Sequence, residues 1–156
     1  MSASERLAAL GLTLPEVASP VGTYVPAKRH GDLLYSSGQL PLVDGTLLAQ
    51  GNVGQREGDV TPERALECAR VAALNAIAAV AQAAGGIDSI EGILRVTGFV
   101  ASAPGFTAQP AVVNGASGLL VDVFGEAGRH ARSAVGVAAL PLGAPVEIEI
   151  VAIARG

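Results

Sequence analysis

Residues Arg129–Gly156 read RHARSAVGVAALPLGAPVEIEIVAIARG. Two runs of alternating residues flank a Leu-Pro-Leu-Gly break, the pattern of a strand, a turn and a second strand. On the first run Arg132, Ala134, Gly136 and Ala138 share one face, and Ser133, Val135 and Val137 the other. On the second, Val146, Ile148 and Ile150 share a face opposite Glu147 and Glu149. The expectation is a hairpin, with Arg132 at an inward-prone position among small neighbours that leave room around it. A guanidinium in such a space suits bidentate capture of a carboxylate. The alternatives are a surface arginine at a strand start, or one paired with Glu147 or Glu149. Glu-x-Glu on one face is most often a solvated edge; set beside Arg132, either carboxylate could hold a proton or orient a water.

Working outward, ILRVTGFVAS is a third strand, expected to place Ile93, Arg95, Thr97 and Phe99 on one face and Leu94, Val96, Gly98 and Val100 on the other. Between it and the final pair, a helix follows APGFTAQP and runs to about Phe124, closed by Gly125 and Gly128. A stronger helix begins at Thr61, with Thr61 as N-cap, Pro62 at the first helical position and Glu63 at the positive end of the dipole. Leu66, Ala69, Ala73, Ile77 and Val80 form its expected apolar stripe, and Gly85-Gly86 end it. Cys68 lies off the stripe's centre and reads as a small, half-buried hydrophobe, since nothing basic flanks it and neither histidine is close in sequence. Upstream, TYVPAKRHGDLLYSSGQLPL makes two strands turning at His30-Gly31-Asp32, and Asp44-Gly45 marks another tight turn. Gly38, after two serines in YSSGQLPL, points to close approach by a ligand or by a neighbouring backbone. Residues 1–20 form a short helical extension ended by two prolines. The order β-β-α-β-α-β-β is α+β: one domain over residues 1–156, a sheet with both helices on one face.

The bulk numbers exclude several functions. Half of the 156 residues are apolar and only 15% are charged, which favours an oligomer that buries apolar faces between subunits. A net charge of −4 and a pI near 5.1, with no basic patch, oppose nucleic-acid binding. One cysteine excludes an internal disulfide, and with two histidines and no CxxC or HExxH a metal site is not expected. The sequence carries no Ser-His-Asp arrangement, GxGxxG or P-loop, leaving little support for nucleophilic hydrolysis or nucleotide binding. With no signal-peptide pattern, and no uninterrupted apolar run near the roughly 20 residues of a membrane span, the expected location is the cytoplasm.

Taken together, GTYVPAKRHGDLLYSSGQLPL and ARSAVGVAALPLGAPVEIEIVAIA resemble the Rid family of reactive intermediate deaminases, also called YjgF or L-PSP proteins. The shared features are Ser-Gly-Gln-Leu-Pro, the Ala-Arg-Ser start of the penultimate strand, the Leu-Pro turn and the final Glu-Ile-Glu strand, in the same order from about Thr23 to Ala154. The resemblance implies a chorismate-mutase-like fold and a homotrimer with clefts between subunits. It also implies hydrolysis of enamines and imines such as 2-aminoacrylate to 2-keto acids and ammonia, without metal or organic cofactor. By position, Arg132 matches the arginine that grips the substrate carboxylate, Glu147 the glutamate near the attacking water, and Tyr24 the tyrosine that reaches the cleft. Ser37 and Gly38 match the wall beside the substrate. Three departures stand out. Ala134 occupies a position where many members have a cysteine, and His130 stands where proline is common. The segment FTAQPAVVNGASGLLVDVFG is longer than usual, leaving Asn114 or Ser117 as the counterpart of the family's cleft asparagine. Two further readings stay open. One is a non-catalytic trimer whose clefts bind a small carboxylate such as a 2-keto acid. The other is a ribonuclease or translation inhibitor, opposed by the acidic pI.

Overall fold

In the computed structural model, which describes residues 1–155, the chain builds three helices, a five-stranded sheet and a small two-stranded sheet. The helices are α1 (Ala3–Ala9), α2 (Pro62–Ala84) and α3 (Gln109–Phe124). The strands are β1 (Ala27–His30), β2 (Leu33–Ser36), β3 (Leu42–Val43), β4 (Thr46–Leu47), β5 (Ile90–Ala101), β6 (Ala131–Val137) and β7 (Val146–Ala154). The main sheet has the order β1-β2-β7-β5-β6, and β3 pairs with β4.

This order corrects the expected terminal hairpin. β6 runs parallel to β5, from Arg95↔Ala131 to Ala101↔Val137, while β7 runs antiparallel on β5's other side. A strand, a helix and a strand in succession form a crossover unit, whose two strands lie parallel. The segment between β6 and β7 therefore passes over β5, turning through Pro141–Gly143 with Leu142 at φ 60°.

α2 is as the sequence marks it. The Thr61 hydroxyl accepts from the Arg64 amide, and Gly85 closes the helix in the left-handed region at φ 83°. Its buried face runs through Ala65, Cys68, Ala69, Ala72, Ala73, Ala76, Ile77 and Val80, whereas Leu66 is 39% exposed. Cys68 is fully rather than half buried, and burial pushes its thiol above the usual range, as suits an inert core residue. The shift away from Leu66 follows from how closely α3 approaches. A methyl group at Gly115 would overlap the Leu66 carbonyl oxygen, so the two helices meet backbone to backbone and the bulkier leucine is left at the rim. At 23 residues α2 has the length and mean composition of a bilayer-crossing helix, but charged and amide side chains interrupt its apolar run and its apolar residues pack into the core.

Both long helices cover the face of the sheet that carries Val96, Val100, Ile148 and Ile150. On β5 the expected alternation slips. A register irregularity between Ile93 and Arg95 puts Ile93 on the same buried side as Val96, Gly98 and Val100, and leaves Leu94 exposed. Among the described residues no helix lies on the opposite sheet face, which carries Arg95, Thr97, Phe99, Val135, Glu147, Glu149 and Tyr35. α1, with a Ser2–Glu5 capping box, buries Leu7 in the same core and holds Asp88 through the Ser4 amide and hydroxyl.

Candidate functional site

The functional residues expected from sequence fall into two groups on opposite sides of the sheet. Arg132 pairs with Val96 of β5 and so points to the helix-covered face. Glu147 pairs with Phe99 and points to the open one, with β5 lying between their strands. Among the described residues the alternative offered in the sequence, a pairing of Arg132 with Glu147 or Glu149, is not formed.

The first group is built by α3 and the start of β6. Helical spacing of four and three residues brings Pro110, Asn114 and Ser117 along one flank of α3. Arg132 reaches that flank: its Nη1 donates to Asn114 Oδ1 at 2.8 Å and to Ser117 Oγ at 3.2 Å, and its Nη2 to the Pro110 carbonyl at 3.4 Å. Asn114 and Ser117 thus both meet the guanidinium. The small residues after Arg132 do not leave an empty pocket, as their sizes suggested. Ala134 packs against the core, and the space beside Gly136 is taken by Gln109 and Ser102. They admit the helix, which then holds the arginine.

His130, noted in the sequence only as a departure from the resembled pattern, joins this group. Its Nε2 lies 2.9 Å from Ser117 Oγ and its Nδ1 lies 2.6 Å from the Gly128 carbonyl. The polar pair Asn114 and Ser117, three residues apart within the largely apolar run from Ala111 to Val121, was the available signal; its meeting with His130 is tertiary.

The second group forms where β2 departs from β7. After the pair Tyr35↔Val151 the ladder is interrupted, and it resumes at Gln39 and Ile148, whose amides and carbonyls exchange bonds of 2.8 and 2.9 Å. In the gap the Ser36 hydroxyl accepts from the Ile150 amide at 2.9 Å. The chain spends three residues, Ser36 to Gly38, against two on β7, so it bulges and lays Gly38 on Glu147. Any side chain at position 38 would overlap the Glu147 carboxylate. Burial and then the charge of Glu149 push the Glu147 carboxyl above the usual carboxylate range. Ser37 donates through its hydroxyl to the Val25 carbonyl at 2.6 Å, and its amide bonds to the Pro26 carbonyl at 2.8 Å. Both tie down the loop on which Tyr24 stands exposed, its ring against Gly22.

Among the described residues no cluster of three or more His, Cys, Asp or Glu side chains is placed to hold a metal ion. A cavity of about 420 Å3 lies away from both groups, lined by residues such as Gly54, Arg56, Asp59, Pro104 and Phe106.

The chain is thus an α+β sheet layered on one face by two long helices, with Arg132 on an edge strand and the glycine-seated Glu147 on the opposite face. The family model described as "YjgF/chorismate mutase-like, putative endoribonuclease" matches residues 4–152, and the chain belongs to this family. Protein TCP17 of Trypanosoma cruzi is 42% identical over 152 residues, covering 94% of this chain and 93% of the relative. The crystal structure described as a "putative endoribonuclease" from Shewanella oneidensis superposes with a TM-score of 0.92 at 38% identity, over 98% of this chain and 99% of that one. Escherichia coli TdcF, solved with bound serine, superposes at 0.65 with 26% identity, over 89% and 94% of the two chains.

Proposed function

We propose that the protein is an enamine/imine deaminase that hydrolyses 2-aminoacrylate-type intermediates to 2-keto acids and ammonia in clefts between the subunits of a homotrimer. The observation that carries this reading is the separation of the two groups. Arg132 stands at the sheet's edge strand and Glu147 on its open face, so they serve one substrate only if a neighbouring copy brings its Glu147 group to Arg132. The bare sheet face, with Tyr35 and Val135 exposed, and a chain only 15% charged support that assembly. The serine bound to TdcF carries the same α-carboxylate as an imino acid.

In this reading Arg132, held by Asn114 and Ser117, binds the substrate carboxylate through charge-assisted bonds, about 1.5–3 kcal/mol each. 2-Aminoacrylate first tautomerises to its imine, a proton moving from nitrogen to the methylene carbon, and Glu147 then accepts a proton from a water that attacks the imine carbon. Its raised pKa brings it closer to neutral, where a general base works best. Glu147 returns the proton it took to the nitrogen, forming the carbinolamine, whose hydroxyl proton passes to the nitrogen as ammonia leaves and the keto acid forms. Gly38 lets the carboxylate lie flat on the backbone, and Ser37 fixes the loop that carries Tyr24.

The test is keto acid release from freshly generated 2-aminoacrylate. The wild type is expected to accelerate it and Arg132→Ala to abolish the acceleration while staying folded. Wild-type rates no higher than the uncatalysed hydrolysis would overturn the reading, and retained affinity for pyruvate would then favour a carboxylate-binding protein without turnover.

A further inference from the structure

We propose that Ser117 and His130 form a nucleophile–base pair, giving the Arg132 edge of the protein an acyl-transfer activity toward small activated esters. The inference does not rest on the deaminase reading.

The geometry assigns the protons. The Gly128 carbonyl can only accept, so His130 Nδ1 carries the hydrogen of their 2.6 Å bond. In the neutral ring Nε2 is then an acceptor, and the partner at 2.9 Å, Ser117 Oγ, donates to it. A serine inside a helix can return its hydroxyl to the carbonyl four residues earlier or turn it outward; this one turns outward, to an imidazole. The arrangement holds the three parts of an activated serine: a hydroxyl, a base within reach, and a group orienting the base. The orienting group here is a backbone carbonyl rather than an aspartate, which is why the sequence shows no triad.

That carbonyl is firmly held. Gly128 ends a short 3-10 turn, Gly125–Gly128, and is buried so tightly against α3 that any side chain would overlap the Leu120 carbonyl. The same helix supplies both Ser117 and the surface that positions its base. Arg132 Nη1, 3.2 Å from Ser117 Oγ, places positive charge where an alkoxide and the oxyanion of a tetrahedral intermediate would develop. The approach is open. Asn114 is exposed, and beside Ser117 a side chain at Gly118 would meet no atom within 4 Å. Ser117 itself is only half-buried between helix and strand, which suits a short acyl group.

The reaction balances without a further reagent. Ser117 Oγ bonds to the ester carbonyl carbon as its proton passes to His130 Nε2. The carbon–oxygen bond to the leaving group breaks, and the departing alkoxide takes that proton. Water then attacks the acyl-serine, again giving its proton to His130, and the carboxylic acid leaves as Ser117 recovers its hydrogen.

The test uses the full chain with diisopropyl fluorophosphate as the probe, read by intact mass and peptide mapping, beside hydrolysis of p-nitrophenyl acetate. One phosphoryl adduct per chain on Ser117 is expected, absent in Ser117→Ala. In His130→Gln, which keeps a polar side chain but removes the base, the labelling rate is expected to fall about 10²- to 10⁴-fold. Should Ser117→Ala not fold, Ser117→Cys retains the polar contact, and its thiol is expected to react with iodoacetamide faster than Cys68. No adduct, an adduct on another residue, or an unchanged rate in a folded His130→Gln would overturn the proposal.

Discussion

Gly38→Ala tests the seat of Glu147 directly. The added methyl would stand within 2.7 Å of Glu147 Cδ and 3.0 Å of Cγ and would overlap the carboxylate oxygen. One side must move. The backbone at position 38 is fixed on both flanks, by the paired bonds of Gln39 and Ile148 and by the bond from the Ser37 amide to Pro26. The carboxylate hangs from rotatable bonds, so it is the part that yields. The cost is that of an off-rotamer side chain, about 0.5–1.5 kcal/mol, rather than the 1–3 kcal/mol or so of an overpacked core. At about 2–4 °C per kcal/mol for a chain of this size, Tm should fall by about 1–6 °C. Turnover should fall far more, about 10²- to 10⁴-fold, because the base no longer faces the water. A double-mutant cycle isolates the contact. In a Glu147→Ala background the extra methyl has space, so Gly38→Ala should cost nearly nothing, leaving a coupling of about 0.5–1.5 kcal/mol, within the range for touching residues. Urea unfolding of the four proteins at one fixed concentration, with keto acid release on the same samples, gives both numbers. Additive stabilities, or full turnover in Gly38→Ala, would refute the assignment of Gly38 as the platform for a working Glu147.

Gly115→Ala presents the opposite case, since the obstacle is the Leu66 carbonyl oxygen, which cannot swing away. The roughly 1 kcal/mol that alanine gains as a helix former should be outweighed by separation of α2 from α3, and calorimetry should show a lower Tm; an unchanged or raised Tm would contradict the close contact. Glu147→Gln should stabilise the fold at neutral pH, where the native state holds an ionised carboxyl in a site that disfavours it. Because the folded pKa is raised, the native state is favoured below the unfolded pKa and loses that advantage as pH rises through the folded value. The Tm difference between wild type and mutant should therefore shrink on acidification from pH 7 towards pH 4; a difference independent of pH would remove the desolvated charge from the account. Light scattering at micromolar concentration should give the mass of a trimer, and a monomer would leave Arg132 and Glu147 without a shared cleft.

Local chemistry was legible in the sequence, and pairing was not. Thr61, Pro62 and Gly85 fix the ends of α2 by capping and φ alone, and His30-Gly31-Asp32 turns β1 into β2 with Gly31 at φ 58°. Both strands of Arg129–Gly156 exist with the alternation expected, but alternation is the same whichever neighbour a strand takes. The crossover from β5 through α3 to β6 was the better guide, and it specifies parallel pairing. The slip at Leu94 depends on a local irregularity that no period-2 pattern contains. For the site, Arg132, Asn114, Glu147 and Gly38 could be named from their motifs. The Ser117–His130 contact, across a helix, a turn and the start of a strand, depends on how α3 docks.

That docking has a consequence for how the site tolerates change. Glycine and backbone have no rotamers to redistribute, so a contact built from Gly115 on the Leu66 carbonyl cannot absorb a new atom by repacking. Asn114 and Ser117 bracket the residue that is clamped. Their depth and rotation relative to Arg132 are therefore set by main chain against main chain, as a mould sets a casting. Substitutions at the exposed ends of Pro110 and Gly118 can vary what enters the cleft, while the spacing of the groups that would meet it stays fixed.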